Sequence, residues 1–176
     1  MDNVILMAAR LAADAHNGQT RKWGRINDPY ILHPMRVAGR VAIYPLATED
    51  MVAAAWLHDI LEDTKMTEQD LIAAGLGGPV TYFVKGLTNP SKVLEASRDV
   101  RKQMDRDYLV RAPWEVRFIK LADRLDNVRE MNADPKTPVD FDTLYRQESL
   151  LLLDALRGTD EEIENELIGQ ITRGPV

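Results

Sequence analysis

The segment His58-Asp59-Ile60-Leu61-Glu62-Asp63 constrains this chain most. It follows the apolar run Met51 to Leu57, which reads as a buried helix. Buried charge is costly unless it is paired or bound to a metal. A fold that carries this helix in its core must therefore give the cluster partners, and a metal site is the most economical way to do so.

The bulk properties narrow the setting. At 176 residues the chain is expected to be one domain over 1–176, large enough for a hydrophobic core. Aliphatic residues and alanine dominate and aromatics are sparse, which favours helix. There is no cysteine, so any metal must be held by nitrogen and oxygen. No apolar run approaches the ~20 residues of a membrane span, and no signal-peptide succession opens the chain. A cytoplasmic protein without a membrane partner is expected. The formal charge of −6 argues against nucleic-acid binding, which needs a basic surface. It leaves room for a small phosphorylated substrate met by a local cluster of cations.

Taken in order, the chain reads as helix after helix. Val4 to Asn17 forms the first, with Leu6, Ala9, Ala13 and the flanking Ile5 and Ala12 on its apolar face and Gly18 as its stop. A loop from Gln19 to Pro29 carries Arg21, Lys22 and Arg25. His33-Pro34 opens the second helix, whose Val37, Val41 and Ile43 are expected to point inward. Thr48 caps a third helix that runs on into the opening motif, and Thr67 to Asp70 cap a short fourth. The stretch from Thr88 to Arg98 is the least patterned and is expected to be mobile. Trp114 to Met131 is strongly helical, with Phe118, Leu121, Leu125 and Val128 at helical spacing. Two further helices close the chain. No strand alternation and no internal repeat occurs, so the expectation is an all-α fold of about eight or nine helices.

Three histidines are present: His16, His33 and His58. His58 and Asp59 are adjacent, and Glu62 and Asp63 follow within one turn. A second group lies at Lys120, Asp123 and Asn127, one stripe of a core helix. Taken alone, that stripe is better explained as a helix-surface charge pattern with Asp123 paired to Lys120 or Arg124. Together, His33, His58, Asp59 and Asp123 make a two-histidine, two-aspartate set. Such donors without sulfur suit Mn²⁺, Fe²⁺ or Zn²⁺. Four protein ligands on a six-coordinate ion leave positions for water and substrate, and Glu62 or Asp63 can take a proton from that water. His16 is expected to hold the basic loop by a hydrogen bond, and Trp23 to cover it.

These residues carry a resemblance. The order histidine, histidine-aspartate, aspartate resembles the HD superfamily of metal-dependent phosphohydrolases. Ala12 to Lys22, Pro29 to Pro34, Ala54 to Thr64 and Ile119 to Asn127 resemble, in order, the hydrolase domain of the Rel/Spo alarmone enzymes. The end of the chain, with Leu156-Arg157-Gly158-Thr159, is similar to the stand-alone small alarmone hydrolases. The resemblance implies an HD-type helical bundle and one Mn²⁺ held by His33, His58, Asp59 and Asp123, other divalent ions being alternatives. It implies Glu62 and Asp63 as the catalytic pair. The implied reaction removes the 3′-diphosphate of guanosine tetra- or pentaphosphate, giving GDP or GTP and pyrophosphate. Arg21 and Lys22 match the basic pair that faces the nucleotide, Asn127 a polar residue after the last ligand, and Tyr145 a tyrosine of the nucleotide pocket. Arg25, Lys120 and Arg124 could add to the cationic field, and each serves equally well in a structural ion pair. The expected hydrolase stands without the synthetase of the long enzymes.

The loop between Lys22 and His33 departs from the family, so base choice could differ. Competing readings are an HD phosphohydrolase acting on an adenosine alarmone, a dNTP or NADPH, and a non-catalytic alarmone sensor. Neither accounts as well for the Arg21-Lys22 block together with Glu62 and Asp63.

Overall fold

A computed structural model describes residues 3–21 and 28–173. The described residues form helices joined by turns and short irregular segments, with one isolated β-bridge between Thr20 and Pro29. The chain forms two compact units, one of residues 1–20 and 29–89, the other of residues 21–28 and 90–176.

The first unit is built around α3 (Glu49–Trp56), which packs against α1 (Val4–Ala15), α2 (Leu32–Ala42) and α6 (Pro79–Leu87). Its sequence explains this place. Thr48 accepts from the Met51 N–H at 3.2 Å and Glu49 and Asp50 occupy the first turn, so the N-terminus is satisfied by side chain and charge. Met51 to Ala55 are then all buried. The three consecutive alanines let neighbouring helices come close, and each buried apolar side chain adds ~1–3 kcal/mol. On α1 the buried residues are Ala8 and Ala12, followed by His16, while Leu6 is 55% exposed. The inward face thus runs through Ala12, expected at the flank of the apolar stripe, and through Ala8, and it is turned from Leu6 and Ala13, because small side chains are what the alanines of α3 accept. Val37 and Val41 are fully buried, but Ile43 lies past the end of α2 and is exposed.

The third helix does not run through the opening motif. It stops at Trp56, Leu57 is the cap, and His58-Asp59 form a turn before the single-turn α4 (Ile60–Asp63). This break raises the number of α-helical segments among the described residues to ten. The short α5 (Glu68–Ala73) has the expected capping box, with Asp70 and Thr67 bonded reciprocally. It ends at Gly75, whose φ of +81° suits glycine.

The second unit contains a 3₁₀ turn (Pro90–Val93), α7 (Arg98–Leu109), α8 (Trp114–Ala133), α9 (Val139–Ala155) and α10 (Glu161–Arg173). Helices α8, α9 and α10 pack on one another, and α7 packs on α9 and on the turn. Phe118, Leu121, Leu125 and Val128 are buried as their spacing requires. The stretch expected to be mobile is instead pinned: the Ser91 N–H and hydroxyl both donate to Asp105, at 3.2 and 2.9 Å.

Candidate metal centre and active site

In the first unit the break after α3 turns His58 back into the core. Its Nδ1 lies 2.8 Å from the Ala55 carbonyl, which fixes Nδ1 as the protonated nitrogen and leaves the lone pair on Nε2. That Nε2 lies 3.1 Å from His33 Nε2 and 3.0 Å from Asp59 Oδ2, and His33 Nε2 lies 3.7 Å from the same oxygen. Both histidines are buried, at 0 and 1% exposure. Ligands at right angles around one ion, with bonds of ~2.1 Å, stand ~3.0 Å apart. Two imidazole nitrogens and a carboxylate oxygen converging at this spacing therefore fit a divalent cation. They are the three-residue group among the described residues whose ligand atoms could hold one.

Around this group the carboxylates are held in place. Tyr30 Oη donates to Asp59 Oδ2 at 2.5 Å and reaches Asp63 Oδ2 at 3.1 Å. Gln19 Nε2 donates to the Asp63 carbonyl at 2.8 Å. Glu62 accepts from the Asn89 backbone N–H at 2.7 Å, and from Asn89 Nδ2 at 2.9 and 3.2 Å. Glu62 and Asp63 line an open hollow of about 720 Å³ with Ala15, Gln19, Thr64, Lys65 and Met66. They are thus oriented yet accessible, as groups that exchange protons with water must be. His16 is buried, its Nδ1 2.8 Å from Gln19 Oε1 and its ring stacked on Tyr30 at 4.7 Å. It holds the start of the loop as expected. Neither Tyr30 nor Asn89 stood out in the sequence as a site residue. The only cue for Asn89 was its place before Pro90 in the unpatterned stretch.

The second unit gathers the other candidates on α8. Asp123 is 6% exposed, and both of its oxygens are engaged: Oδ2 with Lys120 Nζ at 3.0 Å, Oδ1 with Asn127 Nδ2 at 2.5 Å. The ion pair weighed against a functional role is therefore formed, and Lys120 orients Asp123. Asn127 Oδ1 accepts from Arg21 Nη2 at 2.5 Å, and Arg21 Nε donates to Glu130 at 2.8 Å. Glu130 was not anticipated. Arg21, Lys120, Asp123 and Asn127 thus form one chain of charge-assisted bonds. Tyr145 on α9 stacks on Phe141 at 5.5 Å and lies under the Arg124 guanidinium at 4.4 Å. Burial raises the Tyr145 phenol above its ordinary value, with Arg124 opposing, so it is a neutral hydrogen-bond donor near pH 7. Lys22, the partner of Arg21 in the basic pair, lies outside the described residues, as do Trp23, Arg25, Ile26 and Asn27.

The geometry agrees with known proteins. Residues 8–150 match the family model described as HD domain. The chain is 31% identical over 169 residues to a guanosine-3′,5′-bis(diphosphate) 3′-pyrophosphohydrolase MESH1 of Danio rerio, covering 93% of this chain and 90% of that one. It is 36% identical over 140 residues to a guanosine-3′,5′-bis(diphosphate) 3′-pyrophosphohydrolase of Vibrio cholerae, covering 76% of this chain and 19% of that one. It spans less than a fifth of the length of the long relatives among its first matches. Among solved structures, that of a metazoan ortholog of SpoT that hydrolyzes ppGpp superposes with a TM-score of 0.87 at 26% identity, covering 100% of this chain and 98% of that one. Among the described residues no helix is long and apolar enough to cross a membrane. With a family model matched over most of its length and a relative aligned nearly end to end, the chain belongs to the HD domain family and, within it, to the Rel/Spo type.

Proposed function

We propose that this chain is a Mn²⁺-dependent hydrolase of guanosine tetra- and pentaphosphate, releasing pyrophosphate from the ribose 3′ position and leaving GDP or GTP. The observation that carries this reading is the first-unit centre, where three ligand atoms converge beside two oriented carboxylates. The names of the relatives supply the substrate. The match to one HD model across residues 8–150, which touches both units, supports treating them as one hydrolase domain.

The nitrogen and oxygen donors suit Mn²⁺. A divalent ion held by them supplies Lewis acidity, neutralising phosphate charge and easing the ionisation of water. The chain's own residues do the rest. Tyr30 keeps Asp59 and Asp63 at fixed distance from each other. Asn89 holds Glu62, so its carboxylate meets water in one orientation. In the reaction, water adds to the phosphorus attached to the ribose 3′ oxygen, and the bond from that oxygen to phosphorus breaks. One of Glu62 and Asp63 takes the proton of the water, and the 3′ oxygen leaves as a hydroxyl once it has gained a proton. Arg21 offers a fork and Lys22 a point charge to the phosphates. Asn127, Lys120 and Tyr145 line the nucleotide.

The test is to incubate Mn²⁺-loaded protein with guanosine tetraphosphate, its adenosine counterpart, dGTP and NADPH, and to separate products by anion exchange. Pyrophosphate and GDP from guanosine tetraphosphate are expected. Release from NADPH or dGTP alone would overturn the assignment.

A further inference from the structure

We propose that His16 is a positioning residue for the reaction, setting the place of Asp63 through the side-chain amide of Gln19. The proposal rests on the hydrolase reading above, in which Asp63 is one of the two carboxylates beside the metal centre.

Local sequence brings His16 and Gln19 together. Helix α1 ends at Ala15, and His16 is its cap. Gly18 then takes a φ of +79°, which glycine adopts without strain, and the Gln19 N–H donates to the His16 carbonyl at 3.0 Å. This turn folds the Gln19 side chain back onto the imidazole, where Gln19 Oε1 lies 2.8 Å from His16 Nδ1.

The far end of the same amide reaches the turn that carries the carboxylates. Gln19 Nε2 donates to the Asp63 carbonyl at 2.8 Å, across 44 positions of sequence. That carbonyl closes α4, a helix of one turn. A single turn is marginal by itself, and its last carbonyls have no helical partner. The Thr64 hydroxyl donates to the Ile60 carbonyl at 2.6 Å, and the Gln19 amide takes the carbonyl of Asp63. Gln19 therefore fixes the backbone from which the Asp63 carboxylate projects.

The direction of these bonds gives His16 its part. A carbonyl only accepts, so the nitrogen end of the amide faces Asp63 and the oxygen end faces His16. His16 Nδ1 then carries the proton and donates it to that oxygen. Its Nε2 keeps the lone pair, which is buried with no hydrogen-bond partner among the described residues. An unmet buried acceptor is a cost. A side chain needed only to fill this space, or to stack on Tyr30, would do so at lower cost without that nitrogen. What the imidazole adds is its Nδ1–H, which holds the amide in the one orientation that serves Asp63.

The experiment is steady-state kinetics of the Mn²⁺-loaded full chain on guanosine tetraphosphate, for wild type, Gln19→Met, Gln19→Glu, His16→Leu and His16→Asn. Gln19→Met loses both ends of the amide. Gln19→Glu keeps the oxygen that His16 meets and loses the donor that Asp63 meets. Both are expected to lower kcat about tenfold with KM and Mn²⁺ affinity within about twofold, because a displaced carboxylate costs rate and not binding. His16→Leu should lower kcat likewise, whereas His16→Asn, whose side-chain N–H stands near the place of Nδ1–H, should keep kcat within about threefold of wild type. Nitrogen NMR of wild type should show His16 protonated on Nδ1, a check that needs no substitution. Wild-type kcat in Gln19→Glu, a rise in KM alone, equal losses in His16→Leu and His16→Asn, or the opposite tautomer would each overturn the proposal. If wild type turns over neither alarmone, the hydrolase reading fails separately. The relay is then judged by amide hydrogen exchange: exchange of residues 60–64 faster by about fivefold or more in Gln19→Met, with α3 unchanged, supports it, and unchanged exchange overturns it.

Discussion

Tyr30 donates a hydrogen bond of 2.5 Å to the same Asp59 oxygen that stands 3.0 Å from His58 Nε2. A phenol in this place fixes the carboxylate rotamer before any ion arrives. Partners of this kind are worth about 10–100-fold in metal affinity. Tyr30→Phe is therefore expected to weaken Mn²⁺ binding by that order, read by titration of the metal-stripped protein, with helicity unchanged by circular dichroism. Wild-type affinity in the variant would mean that the tyrosine only packs against His16.

Adjacent acids should separate by role. Asp59→Ala removes one of three converging donors, and the protein should no longer retain Mn²⁺ through gel filtration. Glu62→Ala leaves all three donors and should keep the metal while losing at least about a hundredfold in kcat, within the range for a positioned acid or base. Equal metal loss in the two variants would show that ligand and catalyst have been exchanged in the assignment.

Asn89 grips Glu62 through its backbone and its side-chain amide. Asn89→Ala keeps the first contact and loses the second. A drop in kcat of about tenfold is expected, with Mn²⁺ affinity and KM little changed, because a carboxylate held at one point spends less time in the productive orientation. A change confined to KM would move Asn89 from the carboxylate to the substrate.

The difference between these residues and the ligands marks what the sequence could reveal. Helices were legible wherever local signals set them: the Thr48 and Thr67 caps, the glycine after α1, and the apolar spacing of α8. His58 and Asp59 were legible as a costly cluster, and His33, which the structure brings beside them, was singled out by motif order. Tyr30 and Asn89 reach partners 29 and 27 positions away, and no local pattern encodes such contacts. The break at Leu57 was hidden for another reason. Met51 to Asp63 contains no glycine or proline to stop a helix, and the turn exists because His58 Nδ1 bonds the Ala55 carbonyl while its other nitrogen meets His33. Tertiary contact outweighed propensity there. The same holds for α1, whose alanine face was chosen by the alanines of α3.

Arg146 should matter for stability rather than turnover. It is forked on Asp142 at 2.7 and 2.8 Å, and it donates to Asn132 Oδ1 at 2.5 Å. It also meets the carbonyls of Gln170 and Ile171 at 3.2 and 2.7 Å. One side chain thus joins α8 and α9 to the last turn of α10, whose carbonyls lack helical partners. Arg146→Ala leaves these acceptors and a largely buried carboxylate unmet, a loss of about 3 kcal/mol. Urea unfolding should show this as a lower midpoint. A change below about 1 kcal/mol would mean that water replaces the guanidinium without difficulty.

The capping box of α5 gives a pH signature. The Asp70 carboxyl is held below its ordinary value by hydrogen bonds from the Thr67 hydroxyl and backbone N–H. A carboxyl whose folded value is lowered stabilises the fold above its unfolded value of ~3.9 and loses that contribution as pH falls through the lowered folded value. Asp70→Asn should therefore be less stable than wild type at pH 7, and the gap should close as pH falls below about 4. Thermal unfolding of both proteins across that range measures it. A gap that stays constant with pH would assign the effect to side-chain geometry and not to the charge.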